Sequence, residues 1–578
     1  MGNSLKKRGQ KFVRKFSRFS MKASEDSKEH IKENLVERIS HIQNIKLLIL
    51  EWSLLVLALI TLSVTQAFWS SNSYANNVFV DGGSYTEATL GKINSMNPLF
   101  ATTDSEKVLS KLMFATLTAV DYSGHSGPQL ADSVIASENG RVWTMHLRDG
   151  LHWSDGEPIT NEDVLFTVGL IQNPAVGSIY TANLTGVKVS ESEDGNIVFV
   201  LPSAYADFTS ALEIPLVPKH ILENAAPKTL VEHSFSNSPV TSGAFSFNAT
   251  QIGVSGDENT IYLSANPYYY LGRPMLNSFS VHTFGTKEKI INAVNSGSVT
   301  ATAELSGADA DKVTSAQFQK KTSEINYGSF MFFNLSNNWL RNGSLRSAIQ
   351  KGIDLEKIRS AAPDTAALNF PIIDSQIQLS NLPTLPTRDY EAAKQEISTI
   401  SGGNPIELSI TTVNSGYLPE VANVLADELR SLGIETTVVT FDENKDFITN
   451  VIARRNYEIL LYDVELGADP DPLAYYHSSQ TTASGLNLSN YRNGLVDDLL
   501  VGARETINDQ LRAKKYESFL TYWVNDAPAI GLYQSNLTYI YNKNVRPYSN
   551  NIHLVDAIDR FSDICEWAAS KNTKNRTP

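Results

Sequence analysis

The chain has 578 residues, 42% of them hydrophobic and 19% charged, which excludes global disorder and exceeds what one core serves, so two or more lobes are expected. Its net charge of -14 is uneven: residues 1–46 hold twelve Lys/Arg against five Asp/Glu, the remainder 36 against 57. An acidic body would repel a phosphate backbone, which argues against nucleic acid as a partner, and the single cysteine, Cys565, excludes an intrachain disulfide.

The first predicted element is an amphipathic helix within residues 25–46, where Ile31, Leu35, Ile39 and Ile42 recur at helical spacing. Such a helix lies on a membrane surface or meets a cytoplasmic partner. Residues 47–69 follow, 23 residues with Glu51 as the one charge, enough to cross a bilayer. Lys6, Lys7, Arg8, Lys11, Arg14, Lys15, Arg18 and Lys22 precede the span, which places the N-terminus in the cytoplasm and the acidic body outside. A cleaved signal peptide is the rival reading, with Thr65-Gln66-Ala67 as a small-residue site, but its leader would be unusually long. No cysteine stands directly behind the span, which excludes a lipoprotein anchor there.

Residues 70–79 read as a linker that begins small and polar, and Val78-Phe79-Val80 before Asp81-Gly82-Gly83 reads as the first strand and turn. A helix is predicted over 105–117, a strand over 142–147, and a helix from Asn161. Further strands are expected over 327–335, 406–413, 434–439 and 457–462, and helices over 345–353 and 418–432, the last stopped by Gly433. Alternating strands and helices indicate α/β lobes. The common hydrolase, metalloprotease and phosphate-loop motifs are absent, and the ten histidines are scattered. No catalytic residue, cofactor site or metal site is therefore assigned.

Several segments, in order, carry a resemblance. Asn97-Pro98-Leu99 is similar to an "N-P" entry element, Phe114 to Leu117 with Asp121 to a helix and turn, and Pro128-Gln129-Leu130-Ala131 to "P-x-L-A". The most specific stretch runs from Leu147 to Val164, with Arg148, Gly150, Trp153, Asp155-Gly156, Pro158, Thr160 and Asp163 in place and Asn161 where alanine is usual. Pro218-Lys219-His220, Ser242-Gly243-Ala244-Phe245 (alanine for a usual proline), Asn266-Pro267-Tyr268-Tyr269, Asn334-Leu335, Leu345-Arg346, Ile353-Asp354 and Ala393-Lys394 follow. From about residue 80 to 565 the chain resembles the oligopeptide- and dipeptide-binding proteins of ABC importers, solute-binding family 5.

The resemblance implies an α/β, two-lobed periplasmic-binding-protein-like fold of the large peptide-binding type, here behind an N-terminal transmembrane helix. The expected division is lobe I over 80–330 with 536–565 returning to it, lobe II over 331–535, and a tail over 566–578. It implies a protein that is not an enzyme but closes on peptides and passes them to the permease subunits of an ABC transporter. A nickel chelate or a sugar in the same fold, or a surface receptor without an importer, stay open. The family's amine-binding acid lies in a loop written roughly "G-x-A-D-x-x-(D/E)-P". Here Gly467-Ala468-Asp469 matches, while Asp471-Pro472 comes one residue early. Asp469 is the implied partner of a peptide ammonium and Glu465 the alternative, with Gly467 and Ala468 lining the loop and Tyr462 and Tyr476 as cleft aromatics; equally, Asp469 to Pro472 composes a plain turn.

Overall fold

The computed structural model describes residues 52–63 and 79–570, apart from 138, 254–257 and 443–444. The chain divides into two units, residues 1–77 and 78–578. In the first, residues 52–63 are helical with every side chain exposed. No helix among the described residues is long and apolar enough to cross a membrane. The rest of the span expected over 47–69, the segment 1–46 and residues 70–78 lie outside the described residues, as does the end of the tail, 571–578.

The second unit is built on an eleven-stranded mixed sheet. One end is parallel: Ile406–Val413 lies between Ile434–Phe441 and Ile459–Glu465. The helix Leu418–Ser431 connects the first two, turning Leu418, Val421, Ala422, Leu425 and Leu429 inward at a spacing of three to four. At the other end, Ser84–Leu90 runs parallel to Ser278–Phe284, followed by Asn259–Ala265 and Phe245–Ile252. A separate four-stranded sheet holds Ala131–Ala136, Val142–Leu147, Ile197–Val200 and Lys188–Glu191.

Two long strands cross the middle. Phe318–Phe333 and Ala529–Asn542 pair antiparallel, from Phe318 opposite Asn542 to Glu324 opposite Asn536. Pairing resumes at Gly328 opposite Gln534, so Ile325, Asn326 and Tyr327 face Ser535 alone across a bulge. On one side of the bulge the side chains enter a core drawn from Tyr85 to Ala301 and from Leu537 to Trp567. On the other they enter a core drawn from Phe330 to Tyr533. The chain thus forms two lobes, and one strand pair is common to both. Glu87, fully buried, receives hydrogen bonds from Arg560 at 3.1 Å and Tyr539 at 2.6 Å, which pins the first-lobe end of the second long strand.

The segments that carried the resemblance are tied to one another inside the first lobe. Asp163 accepts from the Thr160 amide at 2.9 Å, holding the start of the helix Asn161–Gln172, and from the Lys219 amide at 2.9 Å. His220 meets Asp155 at 2.9 Å, and the Ser154 and Thr241 segments exchange bonds at 2.8 and 2.9 Å. The Gly243 amide donates to Met113 O at 2.7 Å, and Asn266 donates to Gly243 O at 2.8 Å. A Cβ on Gly243 would stand 2.5 Å from the Met113 carbonyl carbon, so only glycine lets these backbones meet.

Gly243→Ala should therefore lower unfolding stability by about 1–3 kcal/mol or more, read from the midpoint of urea unfolding. Gly169→Ala, in a helix with nothing within 4 Å of the added Cβ, should be neutral or stabilising by about 0.5–1 kcal/mol.

Candidate functional site

The strand Ile459–Glu465 leaves the second core as Tyr462-Asp463-Val464-Glu465, and successive side chains take opposite faces. Val464 is buried and Tyr462 packs against Phe447, while Glu465 reaches into the cleft between the lobes, where it still meets water but is crowded by atoms of both walls, and that crowding is what weakens its solvation. Gly467, in the left-handed region at φ 77°, turns the chain, and Pro470 and Pro472 cannot extend a ladder.

The loop after Glu465 is held at nearly every residue. The Leu466 amide donates to Asn326 O at 2.7 Å, and the Asn326 side chain donates to Gly467 O at 2.9 Å. Gln376 donates to Leu466 O at 2.6 Å and to Gly467 O at 3.1 Å. Asp469 is clamped by both terminal nitrogens of Arg512, one at 2.5 Å. Burial pushes the Asp469 carboxyl up, and the guanidinium pulls it back. Asp471 pairs with Arg504 at 2.6 Å. The loop is thus a turn whose two aspartates are already matched by arginines of the same lobe.

The first lobe supplies the opposite wall. Val120 and Val555 pack on Ala468 in a small apolar cluster. At the bulge, Asn326 meets His553 at 2.9 Å and the Tyr327 hydroxyl stands 3.5 Å from Asp556. Asp559 pairs with Lys111 at 3.2 Å. Glu465, Glu213, Asp207 and Asp556 form no ion pair among the described residues. Burial, reinforced by Asp556 and opposed by Lys107, pushes the Glu465 carboxyl up to about 7. Burial also pushes Glu213 up to about 7, against a hydrogen bond from Ser126 and the Lys111 charge. Asp556 is raised by burial and by Asp559.

Two cavities flank this wall. One of about 200 Å³ lies at the bulge, lined by Tyr327, Thr322, Tyr417, Asp463 and Tyr533. The other, about 730 Å³, is bounded by Asp469, Arg512, Gln376, Asp509 and Lys514 of the second lobe and His125 of the first. No grouping of three or more His, Cys, Asp or Glu side chains among the described residues is placed to hold a metal ion.

Of the residues singled out in sequence, Glu465, Gly467, Ala468 and Asp469 stand together at the interlobe wall. Tyr476 does not: its ring is 1% exposed and packs on Phe519 and Trp523 in the second core, so a ligand has no access to it. Tyr462 lies on the strand face opposite Glu465 and Asp463. Sequence reasoning missed Arg512, Glu213, Asp207, Tyr327 and Asp556. Only Arg512 carried a local signal, being a cation just inside the N-terminus of the helix Asp509–Asp526, where the helix dipole disfavours positive charge.

A family model described as bacterial extracellular solute-binding proteins, family 5 (middle) matches residues 126–487. The chain is 24% identical over 523 residues to the oligopeptide-binding protein AppA of Bacillus subtilis (strain 168), covering 84% of this chain and 92% of AppA. The solved structure of AppA from Bacillus subtilis with a nonapeptide overlays with a TM-score of 0.69 at 21% identity, over 86% of this chain and all of AppA. The ABC transporter substrate-binding protein CtaP of Listeria monocytogenes gives 0.73 at 22%, over 85% and 100%. NikZ of Campylobacter jejuni, in complex with Ni(L-His), gives 0.70 at 23%, over 84% and 99%. At these identities the overlays establish the α/β two-lobed fold alone.

Asp469 and Arg512 are 18% and 4% exposed, so removing one strands the other. Asp469→Asn or Arg512→Met should each cost about 3–5 kcal/mol in denaturant unfolding, and the double variant should recover much of it. Additive losses would show that the pair is not coupled.

Proposed function

Since the chain belongs to the bacterial extracellular solute-binding proteins of family 5, we propose that it captures peptides between its two lobes outside the membrane and passes them to the permease of an ABC transporter. Residues 47–69 hold it there as an uncleaved span, with residues 1–46 in the cytoplasm; the basic flank before Leu47 supports this orientation. Lobe I is 80–330 with 536–565, and lobe II is 331–535. The chain performs no chemistry on its ligand.

The observation that carries this reading is the uncompensated negative charge across the cleft. Glu465 of the second lobe confronts Asp556, Asp559 and Glu213 of the first, and Lys111 and Lys107 are too few to balance them. Closing carboxylates together in a place short of water is unfavourable unless a positive charge enters with them. A peptide ammonium is such a charge, and the AppA relative, named as oligopeptide-binding, extends the reading to this chain. The anchor is Glu465 rather than Asp469, because Arg512 already occupies Asp469. The ligand links the lobes by touching both, which favours the closed form.

Closure on a ligand without an amine must protonate a cleft carboxyl instead. Because the crowded wall and Asp556 push the Glu465 carboxyl up to about 7, that route is open at low pH and lost as pH rises through 7. Calorimetry of the full chain should therefore show N-terminally free peptides preferred over their N-acetylated forms, by a larger factor at pH 7.5 than at pH 5.5. Glu465→Gln should weaken free-amine peptides by about 2–5 kcal/mol, tenfold or far more, and acetylated ones much less. Equal losses for both would remove Glu465 as the anchor. No binding of either peptide by the unaltered protein would remove the peptide reading.

A further inference from the structure

The lobes touch at a second place, away from the bulge and from the Glu465 wall. The Ala206 amide of the first lobe donates to the Arg504 carbonyl of the second at 2.8 Å. The Arg504 guanidinium stands 5.6 Å from the centre of the Tyr205 ring while its nitrogens hold Asp471. Beside them Ile507 comes so close to Gly140 that a Cβ there would lie 2.8 Å from the Ile507 methyl, and 3.5 Å from Ala204. The contact is polar, aromatic and apolar at once, and protein groups alone make it up.

The same contact sets Asp207, next to Ala206, against the acidic loop of the second lobe. Asp469 raises Asp207, Arg512 opposes it, and Glu213 on its own lobe adds a further negative charge. Ser210 hydrogen-bonds its carboxylate, and Thr209 donates to it at 3.2 Å. Asp469 and Asp471 are shared with Arg512 and Arg504, so neither arginine is left to pair with Asp207. Joining the lobes therefore adds an acid to a place where the opposing acids have already used the available cations.

We propose that the Ala206–Arg504 contact is a latch that closes the lobes without a ligand, and that the meeting of Asp207 with Asp469 makes the latch take up one proton from water each time it closes. Burial, and then the Asp469 charge, push the closed-form Asp207 carboxyl up to about 8. In the open form Asp207 is away from Asp469 and releases its proton more readily. The closed form is therefore favoured at low pH, and the closed-to-open ratio falls as pH rises until the closed-form carboxyl is itself ionised, then levels. The latch requires no ligand, and Glu465, which the same closure brings to the first-lobe wall, adds a pH dependence of its own below about 7.

Spin labels on exposed Glu193→Cys and Glu391→Cys, in a Cys565→Ser background of the full chain, would report the distance between lobes. The sample is freed of co-purified solutes, as mass spectrometry verifies. The short-distance population should be larger at pH 6 than at pH 9. Asp207→Asn should enlarge it at pH 9 relative to the unaltered protein and leave only the pH dependence that Glu465 contributes, and Ile507→Ala should reduce it at both pH values. A distribution unchanged between pH 6 and 9, or an Asp207→Asn protein that opens, would overturn the proposal. Peptide affinity of the same variants, measured separately, distinguishes a failed latch from a failed ligand assignment.

Discussion

The pairing of two long strands that serve two cores at once is the constraint on which the structure depends. Phe318–Phe333 and Ala529–Asn542 must satisfy hydrogen bonds along their whole length while their side chains enter different interiors on the two sides of the bulge. The slip at Ile325–Tyr327 is where that double duty is resolved. It frees the Asn326 side chain to hold the Gly467 carbonyl and meet His553, and it sends Tyr327 toward Asp556. The loop from Leu466 to Pro472 is therefore positioned by the bulge of the shared strand pair. On the proposed reading, a movement of the lobes about the bulge carries that loop against the first-lobe wall.

Charge sets the terms of that movement. Each lobe brings carboxylates to the cleft, and the cations near them are largely engaged: Arg512 with Asp469, Arg504 with Asp471, Lys111 with Asp559. Whatever closes the cleft must supply positive charge or protons, because carboxylates moved away from water and toward one another resist ionisation. An ammonium on a ligand and a proton from solvent are two answers to one electrostatic demand, acting at two places on the same interface. The buried Glu87–Arg560 pair shows the opposite arrangement, an acid fully enclosed with its cation, and it lies in the first lobe as a fastening for the strand rather than at the cleft.

Legibility followed the range of the forces involved. The stretch Leu147–Val164 was readable because Asp155-Gly156, Pro158, Thr160 and Asp163 make turns and a helix start with their neighbours; what it could not reveal is that Asp163 also holds the Lys219 amide. The strand Ile406–Val413 and the helix Leu418–Ser431 were readable from apolar periodicity. The first long strand was read only over its apolar second half, since Gln319 to Glu324 are all polar and give no buried-strand pattern. At the site, the acids of the 465–472 loop were visible as a motif, but their state was not. Arg512 lies 43 residues from Asp469 in sequence, and only the packing of the helix Asp509–Asp526 brings it there. Tyr476 looked like a cleft aromatic by position, yet the short helix Leu473–Tyr476 rolls it into the core beside Trp523.

The most direct test of the central claim is to ask what the cleft holds when the protein leaves the cell. The full chain, purified without added ligand, would be acidified and its released solutes identified by mass spectrometry. The account predicts peptides of mixed sequence with free N-termini, enriched over a matched preparation of the Glu465→Gln protein. A nickel chelate, a sugar, or peptides with blocked N-termini in their place would contradict it.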